Sequence, residues 1–174
     1  MPSRRVVVTG IGAVTPLALD ARATWSALLA RRSGAGPITR FDPAKFDVRI
    51  AAEVKGFEPA AWVEPKEVKR IDRFAQFGIA AATMAVQDSG IDPAKEDPTR
   101  CGVVIGSGIG GLETLEDQHT RFMEKGPDKI SPFLIPKLMG NAAAGLVSIR
   151  FAFKGPSYDT VSACTSAANA MGDA

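Results

Sequence analysis

The chain has 174 residues, 45% of them apolar, and a formal net charge of +2. That is enough apolar material for one packed domain, or for half of a larger one, and the balance of charge gives no global argument for nucleic-acid binding. No apolar run approaches the roughly 20 residues of a spanning helix, and two cysteines with a single histidine offer neither a disulfide framework nor a metal-ligand set, so a reducing, intracellular compartment is the default expectation.

In chain order, Arg4 to Thr9 is a short β-branched run closed by Gly10-Ile11-Gly12. It predicts a buried first strand and a tight turn, and it is too short for the apolar core of a signal peptide. Asp20 offers a helix N-cap, Trp25, Leu28 and Leu29 follow at helical spacing, and Gly34 offers the stop. Residues 33–65 are rich in glycine and proline and predict an irregular excursion with one hairpin or edge strand near Val48–Val54. From about Glu67 to Ser89 the apolar positions Val68, Ile71, Phe74, Ala75, Gly78, Ala82, Ala85 and Val86 recur near every 3.6 residues. They predict one long helix capped by Gly90.

The stretch CGVVIGSGIGG predicts a strand and a glycine turn, followed by a polar helix, Leu112 to Lys125. Ser131 to Pro136 carries two prolines, which argues against a central strand or the middle of a helix. A helix of small residues is expected from Asn141 to about Phe153, ended by Gly155-Pro156. A strand over Ser157–Ser162 and a helix from Thr165 to Ala174 close the chain. This alternation predicts an α/β fold in layers with a mostly parallel sheet.

Cys164 is the most informative residue. It stands where the last strand gives way to the last helix, and the unpaired N–H groups and dipole of a helix N-terminus favour a thiolate, the nucleophilic form. Most free cysteines are small buried hydrophobes. The flanking Ser162, Ala163, Thr165 and Ser166 nevertheless permit a sharp turn and leave room beside the sulfur, and the Cys164 N–H is a candidate oxyanion donor. Cys101, opening an apolar strand, reads as packing, and His119 in its polar helix as a solvated side chain.

Gly106-Ser107-Gly108-Ile109-Gly110-Gly111 matches a dinucleotide-binding fingerprint. The fingerprint also wants a second strand ending in an acidic residue about 20 positions on. Here that region is Lys125-Gly126-Pro127-Asp128 with no strand before it, so the glycines are read as serving close backbone approach and Ile109 as the bulky side chain facing a cavity. Lys66, Lys69, Arg70 and Arg73 share one face at the start of the long predicted helix. Cations oppose the dipole there, which hints at an acidic partner.

Four stretches, RRVVVTGIGAVTPL, VVIGSGIGGLETLEDQHTRF, KISPFLIPKLMGNAAAG and GPSYDTVSACTSAANAMGDA, together resemble the N-terminal half of a β-ketoacyl-acyl-carrier-protein synthase, most closely the type II synthases of bacterial fatty-acid synthesis. The resemblance implies a thiolase-like layered α-β-α-β-α fold, of which residues 1–174 supply the N-terminal half-domain, truncated within the helix after the nucleophile. It implies an acyltransferase reaction: Cys164 takes the acyl chain as a thioester, and decarboxylation of malonyl-acyl carrier protein yields the carbanion that attacks it. Ile109, with Gly108 and Leu134, matches the substrate pocket. Lys66, Lys69, Arg70 and Lys129 match positions that receive the acidic acyl carrier protein, although Asp128 stands where a base is often found.

The resemblance further implies a cytoplasmic homodimer joined through about Ser157–Ser162, with the Ser131–Pro136 loop reaching the partner's pocket. It implies no cofactor, no metal, no nucleic acid and no membrane. The family's two catalytic histidines, a lysine and the second oxyanion donor lie in the C-terminal half, and His119 matches neither histidine. These residues alone are therefore expected to accept an acyl group without condensing it. A polyketide ketosynthase and a non-catalytic carrier-protein-binding module remain as alternatives.

Overall fold

The computed structural model describes residues 5–174. Among the described residues seven α-helices and four short strands run in the order α1 (Ala21–Leu29), β1 (Ala35–Pro37), β2 (Ile50–Ala52), α2 (Pro65–Val68), α3 (Arg73–Ser89), β3 (Val103–Gly106), α4 (Leu112–Lys125), α5 (Leu134–Leu138), α6 (Ala142–Phe151), β4 (Ser157–Thr160) and α7 (Ser166–Asp173). β1 and β2 form the hairpin expected in the glycine- and proline-rich excursion, with Gly36 opposite Ala51. β3 and β4 pair in parallel, with Ile105 opposite Asp159 and Gly106 opposite Thr160. Parallel neighbours need a crossover, which α4, α5 and α6 supply.

The core lies where α3, α6 and β3 meet. Ile71, Ala75, Ile79, Val103, Ala143, Ala144 and Val147 form one buried cluster, with Val63 at its edge. Small residues set the spacing: a Cβ on Gly78 would lie 3.4 Å from the Ala143 Cβ and 3.9 Å from Ile105 Cδ1. The Gly10–Gly12 segment also crosses α3, towards its C-terminal half. A Cβ on Gly12 would lie 1.9 Å from the Ala81 carbonyl oxygen, and the Ile11 N–H donates to Asp88 Oδ2 at 2.9 Å.

Four expectations are corrected. The run Arg4–Thr9 forms no strand over its described part: Arg5–Thr9 pairs with no other strand among the described residues, Arg4 lies outside them, and Val6 and Val8 are 78% and 83% exposed. A strand is defined by its ladder, and nothing here supplies one. α1 forms where expected, with Asp20 Oδ1 accepting from Ala23 N at 2.7 Å, but Trp25, Leu28 and Leu29 are exposed and Ala27 is the buried residue.

The long helix is in fact two. Asp72 is extended (φ −70°, ψ 156°) and caps α3 by accepting from Phe74 N, while Gln76 Nε2 donates to the carbonyls of Val68 and Ile71 at 3.1 and 2.9 Å. Those bonds satisfy the end of α2 and break the helix between. Ile71 and Val68 keep helical spacing across the break, which is why periodicity alone joined the two. The basic cluster is therefore divided: Lys66 lies in α2, Lys69 and Arg70 in the break, and only Arg73 on the first turn of α3.

Pro136 also falls inside a helix, as the third residue of α5. A first turn has no internal partner for its N–H groups, so proline costs no hydrogen bond there.

Candidate functional site

β4 delivers the chain to Cys164 through a left-handed residue. Ala163 has φ +51°, a conformation that costs an alanine on the order of 1 kcal/mol or more and that accumulates at functional turns. Ala163–Thr165 is a single 3-10 turn, and α7 starts at Ser166. The cysteine thus sits one turn ahead of the α-helix, on the elbow itself, and its side chain is exposed. The reading of Cys164 as a buried hydrophobe is excluded by that exposure.

A ring of short polar side chains holds the elbow. Ser166 Oγ accepts from Ser162 N at 2.9 Å and donates to the Ala163 carbonyl at 2.8 Å. Thr160 Oγ1 donates to the Ser166 carbonyl at 2.7 Å. Thr165 Oγ1 donates to the Ser162 carbonyl at 2.8 Å, and Asn169 Nδ2 donates to Ser162 Oγ at 2.6 Å. The Cys164 N–H meets no hydrogen-bond acceptor among the described residues. It is left as a donor beside the sulfur, the disposition an oxyanion requires. The small residues around the cysteine were legible as room for a turn; the network they form, and the strain at Ala163, were not, because neither has a periodic signature.

The glycine turn after β3 packs against this elbow. A Cβ on Gly106 would fall 2.2 Å from the Ser166 carbonyl carbon and oxygen, so only glycine lets α7 lie directly on β3. A Cβ on Gly108 would be 3.6 Å from the Ala163 carbonyl oxygen, which places the turn carrying Ile109 next to the residue before Cys164. Ile109 itself is 68% exposed. Gly110 and Gly111 abut the α5–α6 connection, where Gly111 N donates to the Leu138 carbonyl at 3.0 Å. Leu134 begins the same α5 and is half-buried. The glycines of the fingerprint-like motif are thus engaged by the chain's own backbone.

The basic residues come from two segments that meet. Arg70 lies 5.0 Å from the centre of the Phe133 ring, bringing the Lys66–Arg70 stretch beside the loop that follows Lys129. Lys66, Lys69 and Lys129 are exposed; Arg70 also pairs with Glu67 at 2.9 Å. Arg73, the fourth basic residue of that face, is withdrawn: its guanidinium packs on the Phe77 ring at 4.8 Å and donates to the Val54 carbonyl at 3.1 Å. His119 is exposed on α4 and Cys101 is half-buried. Behind the basic rim, buried Asp72 accepts a short hydrogen bond from Thr114 Oγ1 in a polar crevice of about 250 Å³ that also takes in Arg40, Glu113 and Lys137.

Among the described residues no three His, Cys, Asp or Glu side chains gather as a metal-ligand set, and no helix is long and apolar enough to cross a membrane.

Residues 3–174 match the family model described as beta-ketoacyl synthase, N-terminal domain. The 3-oxoacyl-[acyl-carrier-protein] synthase 2 of Synechocystis sp. is 44% identical over 174 residues, which is 100% of this chain and 42% of that protein. The synthase 2 of Coxiella burnetii is 45% identical, with the same coverage. The chain thus spans about two-fifths of the length of these curated relatives.

Among solved structures, a type II polyketide ketosynthase in complex with its acyl-carrier protein superposes with a TM-score of 0.81 at 26% identity, covering 97% of this chain and 44% of that one. A beta-ketoacyl synthase from Burkholderia phymatum gives 0.80 at 29%, covering 99% and 43%. These superpositions extend the α/β layering seen here to the thiolase-like ketosynthase fold. With its elbow cysteine, its glycine turn and a family match over nearly its whole length, this chain belongs to the β-ketoacyl synthases, within their N-terminal domain.

Proposed function

We propose that residues 1–174 are the N-terminal half-domain of a condensing enzyme that elongates acyl chains held on acyl carrier protein, with Cys164 as the acyl acceptor. The observation that carries this reading is the exposed cysteine on a left-handed elbow with an unpaired N–H beside its sulfur. The Cys164 thiolate attacks the carbonyl carbon of an acyl thioester, and the oxyanion accepts a hydrogen bond from the Cys164 N–H. As it collapses the carbonyl–sulfur bond to the carrier breaks, the carrier leaving as a thiolate that takes a proton from water. Malonyl-acyl carrier protein then loses carbon dioxide, and its carbanion attacks the new thioester and expels the Cys164 thiolate.

Gly108, Ile109 and Leu134 line the acyl pocket in this reading. Lys66, Lys69, Arg70 and Lys129 dock the acidic carrier, so association weakens as salt rises. The working enzyme is a cytoplasmic homodimer. The family's histidines and lysine belong to the other half, since the only histidine here is His119.

The test is mass spectrometry after incubation with acyl-acyl carrier protein. One acyl group is expected on the Cys164 peptide and none on the Cys101 peptide, and Cys164→Ala abolishes the adduct. These 174 residues alone are expected to yield no β-ketoacyl product from malonyl- and acyl-carrier protein. Carrier binding without any adduct would instead establish a docking module. A polyketide ketosynthase is the second reading, favoured by the superposition on type II polyketide structures; the higher identity to synthase 2 proteins, 44% against 26%, supports the fatty-acid reading.

A further inference from the structure

We propose that Asp159 is a positioning residue that fixes the Ile109 turn against the strand leading to Cys164, and so governs which acyl chains reach the sulfur. The inference rests on the acyl-transfer reading above.

Asp159 lies in β4, opposite Ile105 in the parallel ladder. One step beyond the ladder's end the Ser107 N–H has two acceptors: the Thr160 carbonyl at 3.3 Å and Asp159 Oδ1 at 2.9 Å. The carboxylate contact is the shorter, and a charged acceptor makes the stronger bond. Ser107 Oγ in turn accepts from Gly110 N at 3.0 Å, closing the turn under Ile109. The other carboxylate oxygen occupies the volume a side chain on Gly140 would need, since a Cβ there would lie 2.2 Å from Asp159 Oδ2. Gly140 in turn abuts the turn: a Cβ on Gly110, at φ +78°, would meet the Gly140 backbone at 3.0 Å.

Three backbone segments therefore converge on one carboxylate: the Ser107–Gly111 turn, the α5–α6 connection and the strand β4, where Asp159 stands four residues before Ala163, the first residue of the elbow. Asp159 forms no ion pair with a described residue, so its charge is directed at a backbone N–H. Ile109 makes the turn's only large apolar projection, and its place relative to Cys164 follows the place of Ser107 and Gly110.

Asp159→Ala, Asp159→Asn and Gly140→Ala in the full-length protein test this. Losing a hydrogen bond to a charged acceptor is expected to speed hydrogen exchange at the Ser107 and Gly110 amides about tenfold in Asp159→Ala, with β3 and α6 unchanged. Asp159→Asn keeps an acceptor and is expected to restore protection. Acyl transfer to Cys164 from long-chain carrier thioesters is expected to show KM raised about fivefold or more relative to short-chain donors, while alkylation of Cys164 by iodoacetamide keeps its rate. Gly140→Ala, which crowds the carboxylate out of place, is expected to reproduce the Asp159→Ala pattern, and it decides the matter if Asp159→Ala does not fold.

Parental exchange at Ser107 and Gly110 in Asp159→Ala, an unchanged long-to-short ratio, or equal losses in the Asn and Ala variants each overturn the proposal. A parent protein that takes no acyl group on Cys164 overturns the functional reading instead, with the exchange arm still deciding whether Asp159 holds the turn.

Discussion

Helices α3 and α6 and the N-terminal stretch from Arg5 through α1 all carry many apolar residues, yet they differ in how much of them they bury. In the helices, Ala80 and Ala144 are 0% exposed. In the N-terminal stretch, Val8 and Trp25 stand largely in solvent. Burying a valine is worth about 1.5–3 kcal/mol, so this is stabilisation the N-terminal stretch does not realise. The difference lies in what faces each segment. α3 has α6 and β3 packed against it and is crossed by the Gly10–Gly12 segment, whereas Arg5–Thr9 has no ladder partner among the described residues. Apolar patterning specifies a face; a layer must still be present to cover it.

The comparison breaks most readily at Gly106. If the buried region depends on backbones in contact, Gly106→Ala drives a methyl to 2.2 Å from the Ser166 carbonyl and is expected to cost about 3 kcal/mol, read as a lowered urea midpoint. An unchanged midpoint would show that α7 does not rest on β3. Gly145 sharpens the point from the other side, because it sits within α6 with nothing within 4 Å of its would-be Cβ. Gly145→Ala is expected to stabilise by about 0.5–1 kcal/mol, seen as a raised melting temperature.

In the N-terminal stretch, Val8→Thr is expected to change stability by less than about 0.5 kcal/mol in these 174 residues. A loss of the size seen for core valines would mean that the stretch is covered after all.

The smallest effect belongs to the hairpin, where the Glu53 carboxylate accepts from Thr39 N, Thr39 Oγ1 and Arg40 N. The Thr39 side-chain bond, followed by the Thr39 backbone bond, holds its pKa below the ordinary 4.5. The folded-state value is the lower one, so the hairpin's support is complete above 4.5 and is lost as pH falls through the depressed value. The Thr39 amide resonance should report this titration, and Glu53→Gln should remove it.

Much of the layering was legible in the sequence because caps and punctuation carry local physics. Asp20, Gly90 and the glycine run after β3 each perform locally what their residue types suggest. The join between α2 and α3 was not legible, since Val68 and Ile71 keep helical spacing across a break made by Asp72 and by the long reach of Gln76. Only the Asp before Arg73-Phe74-Ala75 hinted at it, as Asp20 does before α1. The placement of Cys164 between a strand and a helix was legible from its flanks, and the close-approach role of the glycines from the missing second strand. The left-handed Ala163 and the convergence on Asp159 depend on contacts between residues far apart in sequence, and no local pattern announces those.

The left-handed turn in front of Cys164 has a consequence for anyone reshaping this protein by selection. Heat-tolerance screens reward relaxed dihedrals, and glycine at position 163 would relax this one at once. The same replacement would give the sulfur a wider arc to wander. Libraries enriched for ruggedness alone should therefore accumulate sluggish clones at that codon, while valine or isoleucine, whose branched side chains clash at positive φ, should vanish from every surviving pool.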